Sequence, residues 1–485
     1  LRPVMARDAT HGALMQTLGI WLTVAVTLLR ELVRAFSSPF RLLAYLPFRH
    51  KWRQRATEAL EAAANQAGCD DEALAQFYAC RRPRRGEQPH LFVSAGEASG
   101  ELHAARLVKA LPDDLRVTAF GGSQLTAAGA NVTFGLSEHA VMGVVGVLQQ
   151  LPLILRAFAA YLRMLRNDPP DLIVLVDYPG LHLVMAKAAK RRKIPVLHYI
   201  APQYWAWGPW RMRRYRRAVD ATLTILPFET EFFRRQNVPA IYIGHPLLDE
   251  IAESPPADEV VAEVRARKTL VIMPGSRRAE IQANLEGMLR VANKLRERDP
   301  SLRIVLPHKN PRRTEMIRAL LEEIGANNAE HHNAEHQNAE HQNVEHHEGP
   351  LSHWLRGAHM VLAKSGTGSL EACLHGNPTI VVYKLRGMLA AIGYHNILSV
   401  PWIAGANLIA NRVVAPEHCF AGDEGWQSVE RDAERLWFDE AARDACKRDL
   451  QEVQDRLGAP GATARVSEIV RQFLQLKAPK LEATN

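Results

Sequence analysis

Two doubly wound α/β halves in series, behind a hydrophobic helical extension, are the fold class that the sequence predicts. Three observations predict it. From His90 onward, apolar runs of strand length alternate with amphipathic stretches, the pattern of βαβ units and of parallel sheets covered on both faces. The segment ESPPADE at 253–259 interrupts that alternation, which resumes from Lys268. Ahead of both halves, Gly12 to Leu29 carries no charge over 18 residues.

That first run just reaches the length of a marginal membrane-spanning helix. Behind it Arg30, Arg34, Arg41, Arg49, Lys51, Arg53 and Arg55 interleave with Phe36, Phe40, Tyr45, Phe48 and Trp52, and the positive-inside rule keeps such a flank, with the bulk of the chain, in the cytoplasm. Residues 1–55 are therefore expected to associate with a membrane, spanning it or lying on it, against the alternative of a core-packed helix. No small-residue cleavage site follows the apolar run, which argues against a removed leader. Residues 56–89 read as a polar helix and a basic, proline-containing linker.

The first half, 90–255, is built from LFVSAG (91–96), a helix near 100–111, VTAFGG (117–122), DLIVLVDYPG (171–180), a helix to Arg192, IPVLHYIAP (194–202), ATLTILPFE (221–229) and AIYIGHP (240–246). The second, 256–475, holds TLVIMPGSR (269–277), LRIVLPHKN (302–310), HMVLAKSGTGSLE (359–371) and PTIVVYK (378–384), with 476–485 as a tail. The cleft between the halves is the default ligand site. Inside the second half, 328–347 is a five-residue repeat (NAEHH, NAEHQ, NAEHQ, NVEHH) that holds six of the 20 histidines. A step of five turns a helix by about 500°, so successive histidines land about 140° apart and share no ligand face. The repeat reads as a solvated low-complexity insert.

Composition narrows the function classes. The 485 residues exceed the ~100–200 of a single domain, and 47% hydrophobic with 23% charged residues excludes wholesale disorder. Lys plus Arg (60) over Asp plus Glu (52) gives net +8, which favours anionic partners. Five cysteines, an odd number with no CxxC pair, argue against a disulfide framework and a structural zinc site. There is neither a GxGxxG nor a P-loop, so no dinucleotide or Walker-type site is expected, and no cofactor or metal is called for.

Five segments can carry chemistry. SAGEASGE (94–101) ends a strand and opens a helix, so its glycines, Gly100 among them, and Ser99 let backbone N–H groups approach an oxygen-rich ligand, with Glu97 and Glu101 as candidate ligand-facing carboxylates. Asp177 stands at the C-terminal end of the most apolar strand of the first half, where a carboxylate needs a partner or a task. The loops at Gly275, Ser276 and Arg277 and at Ser365, Gly366 and Thr367 follow strands of the second half and suit a diphosphate, the guanidinium adding a clamp. Glu371 comes one turn later, placed to accept from ribose hydroxyls. Trp205, Trp207 and Trp210 stand among arginines at 201–217. That segment can line a membrane interface or pack between domains, and no nucleic-acid module accompanies it.

In order along the chain, SAGEASGE, EHAVMGVVGVL (138–148), VDYPG, HYIAPQYWAW, LPFE, IGHPLLDE (243–250), MPGSRRAEI (273–281), KSGTGSLE, VVYK and GANLIA (405–410) resemble the lipid-A-disaccharide synthases. The resemblance runs from about residue 90 to about 475. It implies a GT-B fold of two Rossmann-like halves, and transfer of diacylglucosamine from UDP to the 6-hydroxyl of diacylglucosamine 1-phosphate with inversion. It implies Asp177 as base, Arg277 as essential arginine, and Glu97 as a further catalytic carboxylate. Ser99, Gly100, Trp205, Trp207, Gly275, Ser276, Ser365, Gly366, Thr367, Glu371 and Asn407 are the implied substrate contacts. The cytoplasmic face of the inner membrane is the implied location, homo-oligomerisation is left open, and AVMGVVGVLQQLPLIL (140–155) with the Trp/Arg segment is the expected acyl-chain entrance. Two departures stand out: Glu101 replaces the family's Asp, and DYPGLH carries Gly180 and His182 where Asp and Asn are usual, which points to altered acceptor contacts. Another GT-B enzyme using a UDP-sugar, an N-acetylglucosaminyl transferase or an epimerase, and an inactive membrane-tethered scaffold are the rival readings.

Overall fold

The computed structural model describes residues 2–63, 71–83, 86–139, 150–308, 315–323, 344–349, 351–385, 394 and 396–475, with side chains from Met15 onward save those of His139 and Glu348. Two compact units emerge: residues 1–55, 68–246 and 461–485 form the first, and 56–67 with 247–460 the second.

The first unit is built on seven parallel strands: β1 (His90–Ala95), β2 (Arg116–Gly121), β3 (Asn131–Gly135), β4 (Leu172–Val176), β5 (Val196–Tyr199), β6 (Ala221–Thr224) and β7 (Ala240–Tyr242). Their order is β3-β2-β1-β4-β5-β6-β7. Every residue of β1, β4, β5 and β6 is buried, which explains their near-continuous apolar runs: helices cover both faces, so no side is left for alternating polar residues. The chain leaves β1 toward β3 and returns to β4, so the order reverses between β1 and β4. Ligands of open α/β sheets bind at such a reversal, beyond the carboxyl ends of the strands.

The second unit repeats the plan with β8 (Thr269–Met273), β9 (Arg303–His308), β10 (Val344–Glu348), β11 (Met360–Lys364), β12 (Thr379–Lys384) and β13 (Glu417–Phe420). The order is β10-β9-β8-β11-β12-β13, again all parallel, with the reversal between β8 and β11.

The first unit's central stretch ends at 246 rather than 255, and three further assignments differ from the sequence expectation. The helix Ala462–Leu474 belongs to the first unit, where Val466, Val470 and Phe473 join the core under β1 and β4. Its apolar stripe reveals that it covers a sheet, not which sheet. Helix Asp71–Tyr78, expected as part of one polar helix outside the core, instead enters the same core through Ala73 and Phe77, whose ring stacks on Phe473 at 4.5 Å. The end of the repeat is not a solvated insert either: 344–347 lie in β10, pairing in parallel with β9. The Arg303 guanidinium takes both oxygens of Glu345 there, at 2.7 and 2.5 Å. The polar composition of an edge strand hides it in a polar repeat. Residues 328–343 lie outside the described residues, as do 140–149 of the expected acyl entrance and the tail 476–485.

Among the described residues no helix is long and apolar enough to cross a membrane, although Gly12, Ala13 and Leu14 of the uncharged run lie outside those with described side chains. Helix Arg2–Phe36 packs along helix Leu151–Asn167 of the first unit, burying Ile20 and Val24. Cys80, Cys373, Cys419 and Cys446 are free thiols.

Candidate active site

Candidate residues collect at the order reversal of each sheet. In the first unit β1 runs into Gly96 and Glu97, β4 into Asp177 and Tyr178. The two loops touch: a Cβ on Gly96 would sit 2.2 Å from Tyr178 Cγ, so only glycine lets them close up. Asp177 and Tyr178 both take left-handed backbone, φ +51° and +49°, at a cost of about 1–3 kcal/mol each for residues with side chains. The compensation is visible. The Asp177 carbonyl oxygen accepts from His182 Nδ1 at 2.7 Å and from His198 Nε2 at 3.0 Å.

A carbonyl can only accept, so those two nitrogens carry the protons, and the opposite ring nitrogens must accept. His182 Nε2 takes the Ser94 hydroxyl at 2.9 Å, and His198 Nδ1 takes Tyr215 Oη at 2.9 Å, which meets Thr222 Oγ1 at 2.7 Å. Burial holds His182 at about 3 and His198 at about 4, both neutral at pH 7. This chain of bonds fixes the backbone that presents the Asp177 carboxylate. Burial raises that carboxyl above the usual range, the Tyr178 N–H partly opposing the shift. His182, expected as an altered acceptor contact, is instead fully buried beneath the loop.

Glu97 is half-buried; burial raises the Tyr178 phenol, and the nearby Glu97 charge adds to the rise. Ser99 is exposed and Gly100 buried. Glu101 does not face a ligand: its Oε1 accepts the N–H groups of Gly122, Gln124 and Leu125 at 2.9, 2.9 and 3.2 Å, and its Oε2 the Ser137 hydroxyl. Trp205 is buried rather than surface-lining, its Nε1–H donating to Glu229 Oε1 at 2.9 Å, whereas Trp207 remains 38% exposed. Glu229 carries no role in the sequence reading. Burial pushes it up to about 7 against the pull of Trp205 and the Leu226 and Ile225 N–H groups, and the nearby Asp177 charge adds to the rise. LPFE was recognisable as a motif; the burial that gives its glutamate this pKa is not encoded in four letters.

In the second unit, β8 ends in Gly275, Ser276 and Arg277, and β11 ends in Lys364, followed by Ser365, Gly366 and Thr367. Gly275 has φ +136°, and a Cβ there would come within 2.6 Å of Glu280 Cβ. Glu280 ties the two loops together. Its Oε1 accepts Arg277 Nη1 at 3.0 Å and Lys364 Nζ at 3.1 Å, and its Oε2 the N–H groups of Ser276 at 3.0 Å and Arg277 at 3.3 Å. Burial would raise this carboxyl, but Lys364, the Ser276 N–H and Arg277 outweigh it and hold it at about 2. The two N–H groups expected to hold a diphosphate are thus occupied by Glu280; the side chains of Arg277 and Lys364 are what the loop offers an anion. Arg277 is half-exposed.

Ser365 and Asn407 turn inward. Ser365 Oγ donates to the Ile403 carbonyl at 3.1 Å. Asn407 is fully buried: Nδ2 donates to the Ala415 carbonyl and Glu417 Oε2, and Oδ1 accepts from the Val414 and Ala415 N–H groups, all within 2.8–3.0 Å. Both position the loops rather than face solvent. Gly366 and Thr367 are exposed at the start of helix Thr367–Leu374, and Glu371 is buried within it. Among the described residues, no group of three or more His, Cys, Asp or Glu is arranged to hold a metal ion.

Against known proteins, the family model described as lipid-A-disaccharide synthetase matches residues 91–435. The chain belongs to that family. The lipid-A-disaccharide synthase of Myxococcus xanthus is 33% identical over 396 residues, covering 80% of this chain and 98% of its own. That of Geobacter sulfurreducens is 31% identical over 390 residues, covering 79% and 97%. The chain is therefore a disaccharide-forming glycosyltransferase, and the readings as an epimerase or a wall-synthesis transferase fall away. Fold likeness extends further than function. The S. aureus MnaA–UDP co-structure superposes with a TM-score of 0.54 at 15% identity, covering 82% of this chain and all of the other. The UDP-GlcNAc 2-epimerase of Neisseria meningitidis bound to UDP-GlcNAc gives 0.50 at 15%, covering 79% and 100%. At that identity the likeness establishes the GT-B architecture alone.

Proposed function

We propose that the chain joins UDP-2,3-diacylglucosamine to 2,3-diacylglucosamine 1-phosphate through a β-1,6 bond, releasing UDP, with the acceptor activated in the first unit and the diphosphate held in the second. The observation that carries this division is the pair of order reversals: one presents a carboxylate with a raised pKa, the other two cationic side chains. As the acceptor 6-oxygen attacks the anomeric carbon, the bond from that carbon to the diphosphate oxygen breaks and Asp177 takes the hydroxyl proton. Burial of the carboxyl makes it a stronger base than a solvated one. Arg277 and Lys364 meet the charge growing on the diphosphate, Gly275, Ser276, Gly366 and Thr367 shape the path for it, and Glu371 takes the ribose. Glu97, Ser99 and Gly100 bound the acceptor side. Trp205 acts through Glu229, and Trp207 supplies an exposed ring. His182, His198, Ser365 and Asn407 position these groups.

Both substrates are acylated, so we place the enzyme on the cytoplasmic face of the inner membrane, with helix Arg2–Phe36 lying on the lipid surface. Met15, Leu18, Leu22, Leu29, Val33 and Phe36, at helical spacing, are all exposed along that helix. The test is incubation of purified protein with both substrates and mass spectrometry of the lipid fraction. Disaccharide 1-phosphate is expected; UDP release without disaccharide overturns the proposal.

A further inference from the structure

Beside helix Arg2–Phe36, within the first unit, lies a small pocket, partly open to solvent. The helix contributes Arg30, Glu31 and Arg34, and Lys187, Arg191 and Arg192 come from the end of helix Pro179–Arg191 and the residue after it. Five cations therefore surround one carboxylate. That carboxylate is already shared, since Glu31 accepts from both Arg34 and Arg214. Among the described residues no carboxylate pairs with Arg30, Lys187, Arg191 or Arg192. Lys187 is half-buried, and burial, with Arg214 and Arg34 nearby, pulls its ammonium down to about 8. Such a cluster has the charge and donors to hold an anion.

The same helix says where that anion comes from. Leu29 and Val33 are exposed and directly precede Arg30 and Arg34, so an apolar row and the rim of a cationic pocket run together. We propose that this pocket receives the phosphate of an anionic phospholipid while the apolar row enters the acyl boundary beside it. A second copy of the chain is the weaker occupant, because a self-complementary contact here would face five cations with five more. The family match begins at residue 91, so the N-terminal part of the site lies outside the matched residues. The inference rests on the membrane reading above and adds the headgroup chemistry to it.

The full-length protein is floated with vesicles of phosphatidylcholine alone and of phosphatidylcholine with phosphatidylglycerol, at one salt concentration. The wild type should prefer the anionic vesicles. Lys187→Gln with Arg191→Gln should weaken that binding about thirtyfold, two basic residues contributing about fivefold each at an anionic surface, and leave binding to neutral vesicles unchanged. Arg191→Glu alone, at an exposed position that cannot disturb folding, should weaken it as well. Leu22→Ser with Val26→Ser should reduce binding to both kinds of vesicle. Turnover of detergent-dispersed substrates should stay at the wild-type level in the cationic variants. Wild-type affinity of the double variant and of Arg191→Glu for anionic vesicles overturns the pocket and leaves the membrane reading standing. A wild type that binds neither kind of vesicle overturns the membrane reading itself.

Discussion

The two sheet reversals use the same architecture and opposite electrostatics. At β1/β4 the carboxylate is raised by burial, the groups bonded beneath its loop are neutral (two uncharged imidazoles, a serine, a tyrosine and a threonine), and the titratable neighbour Glu229 is itself an acid. At β8/β11 the carboxylate is held at about 2, bound to an arginine and a lysine. A buried carboxylate set over neutral groups and beside another acid is ready to gain a proton; one clamped between cations is not, and serves to hold them. Parallel strands ending at a reversal supply a place for ligands. The side chains below the loop decide whether that place handles protons or anions.

The largest expected effect tests the first member of the pair. Asp177→Asn keeps the shape of the loop but cannot accept the 6-hydroxyl proton, so single-turnover transfer should fall by ~10²–10⁴ with UDP-sugar affinity nearly unchanged in calorimetry. If Asp177 only closes the loop, the variant loses melting temperature and keeps its rate per folded molecule. The acid limb of kcat/KM should also lie above the ~3.9 of an ordinary aspartate, because the raised carboxyl is protonated, and inactive as a base, at a higher pH.

The second member is tested by Arg277→Ala and Lys364→Ala, each expected to lower kcat by ~10²–10³ through loss of one donor to the leaving diphosphate. UDP affinity should fall too, which separates these variants from Asp177→Asn. If Glu280 holds rather than reacts, Glu280→Gln should raise KM for the UDP-sugar more than it lowers kcat.

A smaller effect comes from the imidazoles beneath Asp177. Each is held well below its unfolded value of ~6.5. Between about pH 6.5 and 4 the unfolded chain therefore binds a proton at each site that the folded chain refuses, and stability falls as pH falls, by about 1.4 kcal/mol per pH unit per histidine. His182→Asn retains a donor for the Asp177 carbonyl and should remove roughly one proton from the acid slope of a urea titration. His182→Leu leaves that carbonyl short of a donor, and its turnover per folded molecule should fall further than that of the asparagine variant. Equal rates for the two would break the link between the imidazole and the loop.

Much of this was legible in the sequence. Uninterrupted apolar runs are what strands buried on both faces require, and they marked β1, β4, β8 and β11 together with the loops after them. Asp177, Arg277 and the glycines between strand and helix could be found because chain order alone puts them at strand ends. Direction and partnership were not legible. Glu101 and Asn407 have the residue types of ligand contacts and the environment of structural braces, since a buried backbone N–H is as good a target for a side-chain oxygen as a sugar hydroxyl. Lys364 opens the KSGTGSLE segment and Glu280 lies within MPGSRRAEI, yet neither was singled out, because their pairing crosses 84 residues of sequence. Helix Ala462–Leu474 failed for the same reason, its amphipathic stripe naming no partner.

The smallest expected effect concerns the repeat. β10 is the edge strand, and β9 separates it from the β8/β11 reversal, so changes there should leave the anion side of the comparison untouched. Removing residues 328–343 and closing with a short glycine linker keeps β10, and since closure entropy varies slowly with loop length, turnover should stay within about twofold and the melting temperature within a few degrees. Extending the deletion to 347 removes Glu345 from Arg303, whose side chain is only 10% exposed, and strips the edge of β9. An arginine left buried without its carboxylate should lower stability by roughly 1–3 kcal/mol. UDP affinity of the molecules that remain folded should be unchanged. Measuring both deletions by denaturant titration and by UDP calorimetry separates edge from reversal: a loss of UDP affinity that exceeds the loss of stability would mean that the electrostatics at β8/β11 depend on the far edge of the sheet.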